Sequence, residues 1–217
     1  MMLDYKLYIF DWDGTLMDTI PTIVAATKYA CAKLDLPMIS DADALSIIGQ
    51  SFVLVIADVV PELRNNPELL QKFTAIYETY LNEHCLDNPL FANAYEILEQ
   101  LTAAGKTLTV ATGRNRVMLD DILRHTGYGK YFLLTKTACE CQSKPHPQMI
   151  EEIIEFTGID KSQAVMIGDT SHDIHMAHNA GVASIAISHG AQTYDEIMAA
   201  KPDYVVADLY QLQQLLS

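Results

Sequence analysis

Short runs of β-forming apolar residues alternate with helix-length segments through most of the sequence. After a first run at 6–10, strands are predicted at 107–111, 131–134, 164–167, 183–187 and 204–206, and helices at 92–104, 115–125, 147–156, 174–180, 194–200 and from 209. Parallel strands need a long crossover connection, which a helix of this length supplies. The alternation therefore predicts a parallel sheet with helices on both faces.

The segment between residues 18 and 88 lacks this alternation. Its apolar spacing predicts four helices, at 19–34, 42–48, 52–60 and 67–81, and Thr19 can cap the first of them. We therefore predict an α/β fold class, a Rossmann-like parallel sheet flanked by helices, with an inserted all-helical cap domain. Residues 1–17 and 89–217 would form the α/β core domain, and residues 18–88 the helical cap domain.

Charge limits the partners of this chain. Its 217 residues carry 14 Lys and Arg against 28 Asp and Glu, a formal net charge of −14, and half of the residues are hydrophobic. A globular protein this acidic is not expected to bind nucleic acid or an anionic membrane, because no basic surface offsets their phosphate charge. It can bind a small phosphate ester where a divalent cation and local donors reverse the sign of the site.

The expected location is the cytoplasm. The four cysteines have neither the density of a disulfide scaffold nor a Cys-x-x-Cys pair, which favours reduced thiols. We find no signal-peptide pattern at the N-terminus and no apolar run of ~18 residues that would predict a membrane span. The sequence is compatible with a monomer or a homodimer.

Two aspartates follow the first predicted strand directly. They are Asp11 and Asp13, and Gly14 lets the chain turn away after them. Ligands bind at the carboxyl ends of strands in parallel sheets, so this position favours one aspartate as a nucleophile and its neighbour as an acid and base. The alternative is an Asx-rich turn after an edge strand.

Three further segments place polar residues after predicted strands. They are Thr112 with Gly113, Lys144, and Asp169 with Asp173. Taken alone, Thr112 could cap a helix, and Lys144 could be a solvated residue before Pro145. Together, several carboxylates, a hydroxyl and a lysine at one edge of a sheet predict a site for a divalent cation and a phosphoryl group.

The same segments resemble the motifs of a known family. The matching residues are Asp11-Trp12-Asp13-Gly14-Thr15-Leu16-Met17-Asp18, Thr112, Lys144-Pro145-His146-Pro147, and Gly168-Asp169-Thr170-Ser171-His172-Asp173 with Ala177-His178-Asn179-Ala180-Gly181. In this order they resemble the haloacid dehalogenase superfamily, and within it the phosphoglycolate-phosphatase-like group with a helical cap. Four motifs at workable spacing across almost the whole chain make the resemblance specific.

The resemblance implies a Mg²⁺-dependent phosphatase acting on a small, phosphoglycolate-like organic phosphate monoester. Asp11 would be the nucleophile that forms an aspartyl-phosphate. Asp13 would protonate the leaving oxygen and then activate water, and its presence separates the chain from the dehalogenases of the same fold. The Asp11 side chain, the Asp13 backbone carbonyl and Asp169 would bind Mg²⁺, which prefers such hard oxygen ligands.

The remaining motif residues would hold the phosphoryl group. The resemblance places Thr112, Gly113 and Lys144 against the phosphoryl oxygens, where the lysine would neutralise charge in the transition state. Asp173 would hold a metal-bound water or Lys144. Arg114 departs from the residue that many relatives carry, and we expect it to alter the pocket without touching the chemical roles.

Three other interpretations of these residues remain open. A phosphomutase would resolve the same phosphoaspartate with a sugar hydroxyl, and would need more polar groups in the cap than Gln50 and Ser51. A non-enzymatic phospho-accepting regulatory module needs a persistent phosphoaspartate, whereas Asp13 beside Asp11 is placed to hydrolyse it. A Mn²⁺-dependent glycosyltransferase built on Asp-x-Asp leaves the lysine and the later aspartates unexplained.

Three histidines lie near the last motif. His172, His175 and His178 are three residues apart, and each such step turns a helix by about −60°. We therefore expect a stripe of histidines and not a zinc site, whose ligands must converge tetrahedrally. The sequence leaves the substrate open among phosphoglycolate, sugar phosphates, nucleotides and pyrophosphate, because the cap decides it.

Overall fold

The chain folds around one six-stranded parallel sheet in a computed structural model that describes residues 3–216. The strands are β1 (Leu7–Phe10), β2 (Thr107–Thr112), β3 (Leu134–Thr137), β4 (Ala164–Gly168), β5 (Ala183–Ile187) and β6 (Tyr204–Val206). Their order across the sheet is β3-β2-β1-β4-β5-β6, and every neighbouring pair is parallel. The first strand of the chain therefore lies in the middle of the sheet, where α/β proteins place their ligands.

Helices cover both faces of the sheet, as the sequence predicts. Those after the first strand are α1 (Ile20–Lys33), α2 (Asp41–Ser46), α3 (Phe52–Val59), α4 (Pro67–His84) and α5 (Ala94–Ala103), followed by α6 (Arg116–Thr126), α7 (Gln148–Thr157), α8 (Ser171–Ala180), α9 (Tyr194–Ala199) and α10 (Leu209–Leu216). Successive side chains of a strand point to opposite faces. Accordingly, Tyr8 and Phe10 join one apolar cluster, and Leu7 and Ile9 join another.

Helices α1 to α4 form a separate layer around a further apolar cluster, to which Met118 of α6 also belongs. Ile23, Ile56 and Phe73 are buried within it. The chain enters and leaves this layer at one point, where Met17 bridges Leu90. These observations confirm the α/β fold with a helical insert. We propose residues 18–88 as the cap domain, because the bridge between Met17 and Leu90 lies just outside the two ends of this range.

Two elements begin three residues away from their predicted starts, and α4 ends at His84, three residues beyond its predicted end. The third strand is Leu134–Thr137 and not 131–134, because Tyr131 ends a 3₁₀ turn. Helix α8 begins at Ser171, three residues before the predicted start, because Thr170 and Asp173 form a capping box there.

Within residues 3–216, no helix combines the length and the apolar character that a bilayer-spanning helix needs.

Candidate active site

The predicted site residues meet at one edge of the sheet. Strands β1, β2 and β4 are adjacent and parallel, so their carboxyl ends lie side by side. Asp11, Thr112 and Asp169 lie at these ends, and all three are buried. Lys144 lies in the loop after β3, and Asp173 lies in the first turn of α8. The structure therefore brings together residues that are far apart in the sequence.

Lys144 ties two aspartates together. Its Nζ lies 2.8 Å from Asp11 Oδ1 and 2.6 Å from Asp173 Oδ1, and all three side chains are almost completely buried. The same Asp11 oxygen accepts a hydrogen bond of 2.7 Å from the Trp12 backbone N–H. Asp11 Oδ2, by contrast, is buried without a hydrogen-bond partner among the described residues. One oxygen of this carboxylate is therefore held in place, and the other is available to a ligand.

Buried carboxyl groups outnumber buried cations around Lys144. Asp11, Asp169 and Asp173 each offer an oxygen, and these oxygens lie within 4.8 Å of one another. Burial raises the pKa of the Asp11 carboxyl well above its usual range, with Lys144 opposing the rise. Burial and the neighbouring Asp173 raise the pKa of Asp169 to about 7. For Lys144, the charges of Asp11 and Asp173 outweigh the effect of burial, and its pKa is raised.

A divalent cation fits this arrangement. Full ionisation of the three carboxylates beside one ammonium would leave two net negative charges in a buried site, and burying unpaired charge is costly. Carboxylate oxygens are the hard ligands that Mg²⁺ prefers, and Asp11 Oδ2 lacks any other partner among the described residues. This group of aspartates therefore suits a divalent cation. Two of its members, Asp11 and Asp169, are predicted metal ligands, and the third is Asp173, which was predicted to hold a metal-bound water or Lys144.

Asp169 is held by residues that the sequence analysis did not single out. Thr15 Oγ1 donates to Asp169 Oδ1 at 2.7 Å, and the Ala191 backbone N–H donates to Oδ2 at 2.8 Å. Gly14 has φ +78°, and a Cβ there would lie 2.3 Å from Asp169 Oδ2. The glycine after Asp13 is therefore required both for the turn and for the approach of this carboxylate.

Asp13 is paired with Arg114, which corrects the expectation that Arg114 stands apart from the chemical roles. The guanidinium Nε lies 3.0 Å from Asp13 Oδ2, and Nη2 donates to Oδ1. Thr19 Oγ1 also donates to Asp13 Oδ1, at 2.6 Å, and makes no capping bond to α1. Thr112 likewise caps no helix: it ends β2, and Asn115 caps α6. Arg114 and Thr19 thus fix the Asp13 carboxylate.

One loop of the cap contacts the edges of this site. A Cβ on Gly113 would lie 2.5 Å from the Gln50 carbonyl oxygen, so only glycine allows this approach. The Gln50 side-chain amide lies 2.9 Å from His172 Nε2, and the Ser51 N–H donates to Ser143 Oγ at 2.7 Å. The cap therefore contacts the sequence neighbours of Thr112, Lys144 and Asp173.

The three histidines of α8 do not converge. His172 is half-buried against the cap, and burial lowers its pKa, whereas His175 and His178 are exposed. Among the described residues, the group of potential metal ligands at this site consists of aspartates. All three lie on one helix, α8, so their spacing spreads them along it.

The motifs, the fold and this geometry agree with one protein family. A sequence model of the haloacid dehalogenase-like hydrolase matches residues 8–187. The chain belongs to the haloacid dehalogenase-like hydrolase family. The match begins in β1 and ends at the last residue of β5, so it includes every predicted site residue. The family resemblance seen in the sequence is confirmed.

Relatives of full length carry phosphatase names. The phosphoglycolate phosphatase of Vibrio parahaemolyticus is 28% identical over 99% of this chain and 97% of its own. The 5'-nucleotidase of Pseudomonas aeruginosa is 28% identical over 99% of this chain and 96% of its own. The crystal structure of a predicted phosphoglycolate phosphatase from Haemophilus somnus has a TM-score of 0.89 and 26% identity, with 100% of both chains covered. The names of these relatives differ in substrate.

Proposed function

We propose that the protein is a Mg²⁺-dependent phosphatase that hydrolyses a small organic phosphate monoester through an aspartyl-phosphate on Asp11. The coarser statement follows from the comparisons: it is a phosphoric monoester hydrolase of the haloacid dehalogenase type, acting on small phosphate esters. The observation that supports the finer proposal is the buried Asp11 Oδ2, which lacks a partner among the described residues, in a site where three carboxyl groups meet one ammonium.

Asp11 is suited to attack phosphorus. Lys144 and the Trp12 N–H fix its Oδ1, so the carboxylate has one defined orientation. In the first step an Asp11 oxygen bonds to phosphorus and the ester oxygen leaves. Mg²⁺, held by Asp11, the Asp13 carbonyl and Asp169, would offset the repulsion between carboxylate and phosphoryl group. Lys144 and the Thr112 hydroxyl would hold the phosphoryl oxygens.

Asp13 is suited to move the protons. In the first step its carboxyl gives a proton to the departing ester oxygen, and the alcohol is released. In the second step the resulting carboxylate takes a proton from water, whose oxygen bonds to phosphorus. The bond between Asp11 and phosphorus then breaks, and inorganic phosphate leaves. Arg114 and Thr19 hold the Asp13 side chain in one orientation for both steps.

The metal requirement is tested by removing and restoring the ion. Phosphate release from a panel of metabolite phosphates should disappear in EDTA and return with Mg²⁺. Ca²⁺ should support it poorly, because its looser coordination misplaces nucleophile and phosphorus. Activity that persists in chelator would overturn the metal role. Conversion of a sugar phosphate to its isomer without phosphate release would favour the phosphomutase alternative, and a stable phosphoprotein would favour the regulatory module.

Metal binding should weaken as the pH falls through about 7, because the Asp169 carboxyl has a pKa of about 7 and protons then compete with the ion. We expect Mg²⁺ to raise the Tm more at pH 8 than at pH 5.5, as measured by differential scanning fluorimetry. In Asp169→Asn the response to Mg²⁺ should be lost at both pH values. An equal response at both pH values in the unmodified protein would contradict this assignment.

A further inference from the structure

The cavity above the two N-terminal aspartates is mostly apolar. Its volume is about 100 Å³, and Asp11, Asp13 and Thr112 line its floor. Apolar walls come from the cap and from α6, and include Ile23, Ile48, Phe52, Tyr77, Leu81 and Met118. Because the cavity contains the proposed nucleophile and acid, the group attached to the phosphoryl group must lie within it. The walls therefore determine which alcohols can leave.

The walls offer little positive charge to a substrate. Arg114 lines the cavity, but its Nε and Nη2 donate to the Asp13 carboxylate, whose negative charge offsets that of the guanidinium. Glu78 adds a negative charge, and its Oε1 accepts a hydrogen bond from Asn115 Nδ2 at 3.1 Å. A second anionic group on the substrate would therefore lie near a carboxylate, in a cavity with little solvent to screen the repulsion.

The basic residues of the cap lie elsewhere. Lys28 pairs with Asp41, Arg64 with Asp58 and Lys72 with Glu68, and Lys33 lies 5.2 Å from the centre of the Tyr29 ring. None of these four basic residues lines the cavity. The cap thus brings apolar surface and one acid, but no lysine or arginine from this set, to the leaving group.

We infer that the leaving group is an uncharged alcohol with an apolar body of a few carbon atoms, and not a hydroxy acid or a second phosphate. This inference rests on the proposed function and names its substrate class. The volume is of the same order as the ~150 Å³ apolar cavity that accommodates benzene in another protein. Each methylene buried against such walls is worth about fourfold in binding.

Matched substrates test the inference directly. Ethyl phosphate and 2-phosphoglycolate differ by a methyl group in place of a carboxylate. We expect kcat/KM for ethyl phosphate to exceed that for 2-phosphoglycolate at least tenfold, and to rise about fourfold per methylene through propyl to butyl phosphate. Equal or higher kcat/KM for 2-phosphoglycolate would overturn the inference and leave the proposed phosphatase intact.

A binding assay separates the inference from the proposed mechanism. Propylphosphonate and 3-phosphonopropionate cannot be hydrolysed and again exchange a methyl group for a carboxylate. With Mg²⁺ present, we expect propylphosphonate to bind at least tenfold more tightly in a calorimetric titration. If no ester, including p-nitrophenyl phosphate, is hydrolysed, the proposed function fails, and this titration still decides the ligand class. Equal affinity of the two phosphonates would contradict the inference.

A variant of the cavity wall should change the preference. Glu78→Lys places a cation where the acid lies, and should lower the ratio of ethyl phosphate to 2-phosphoglycolate turnover at least tenfold. Glu78→Gln is the matched control: it keeps an acceptor for Asn115 and should lower the ratio less. Since Glu78 is only half-buried on α4, both variants should fold, and their Tm values check this. An unchanged ratio in Glu78→Lys would overturn the role of the wall charge.

Discussion

Replacing Asp11 by asparagine is expected to lower phosphate release by about 10⁴-fold or more, because the proposed aspartyl-phosphate cannot form without a carboxylate nucleophile. The loss should be the same for alkyl and aryl esters, since both need the bond between Asp11 and phosphorus. This loss is measured by comparing the initial rates of Asp11→Asn and the unmodified protein with ethyl phosphate and with p-nitrophenyl phosphate at saturating Mg²⁺. Beryllium fluoride with Mg²⁺ should bind to Asp11 in the unmodified protein and not in the variant.

The same change should not destabilise the metal-free protein. Burial raises the pKa of Asp11, so ionising this carboxyl costs the folded state more free energy than it costs the unfolded chain, where water solvates the charge. Asparagine removes this charge and keeps an oxygen that can accept from the Trp12 N–H. Lys144 still pairs with Asp173 at 2.6 Å. At pH 8 without metal, the Tm of Asp11→Asn should therefore equal or exceed that of the unmodified protein.

A matched control separates the nucleophile from a general effect of lost charge. Asp18→Asn makes the same substitution seven residues later, at a half-buried position outside the group of Asp11, Asp169 and Asp173. Its activity should stay within about tenfold of that of the unmodified protein. Full turnover in Asp11→Asn, or beryllium fluoride bound elsewhere with Asp11 uninvolved, would overturn the nucleophile assignment. A large loss in Asp18→Asn would show that the loop, and not Asp11, is sensitive.

The sequence predicted the sheet well where strands are buried, and poorly at its edge. Strand β1 is fully buried between two neighbours, so its apolar run is unambiguous. Strand β3 pairs only with β2, and its half-buried residues include Thr135 and Lys136, which carry little apolar signal. The predicted start of β3 was three residues too early, at Tyr131. This aromatic residue packs into the core although it lies in a 3₁₀ turn.

The positions of the motif residues were predictable, whereas their side-chain partners were not. The carboxyl ends of adjacent parallel strands must lie together, which is why Asp11, Thr112 and Asp169 meet. The pairing of Arg114 with Asp13 joins residues 101 apart in the sequence, and depends on which acid the guanidinium reaches in three dimensions. Thr19 could equally have capped α1, since a threonine before a helix fits both roles.

Replacing Asp13 by asparagine is expected to separate substrates by their leaving groups. An alkyl alcohol needs a proton as it departs, whereas p-nitrophenolate leaves without much help. The phosphorylation step should fall by about 10²- to 10⁴-fold for ethyl phosphate and much less for p-nitrophenyl phosphate. The amide oxygen of asparagine can still accept from Arg114 Nη2 and Thr19 Oγ1, which both donate to Asp13 Oδ1, so the loop should keep its geometry.

The aryl ester should then reveal the second role of Asp13. Without a base to activate water, hydrolysis of the aspartyl-phosphate becomes limiting, and rapid mixing should show a burst of about one equivalent of nitrophenol per enzyme. Thr19→Val is the control: it removes one hydrogen bond to Asp13 but keeps the carboxyl, so it should give a smaller loss with the same order of substrates. Equal losses for both esters in Asp13→Asn, with no burst and no trapped phosphoenzyme, would remove the acid and base role. Asp13 would then serve only to organise the loop that Arg114 and Thr19 hold.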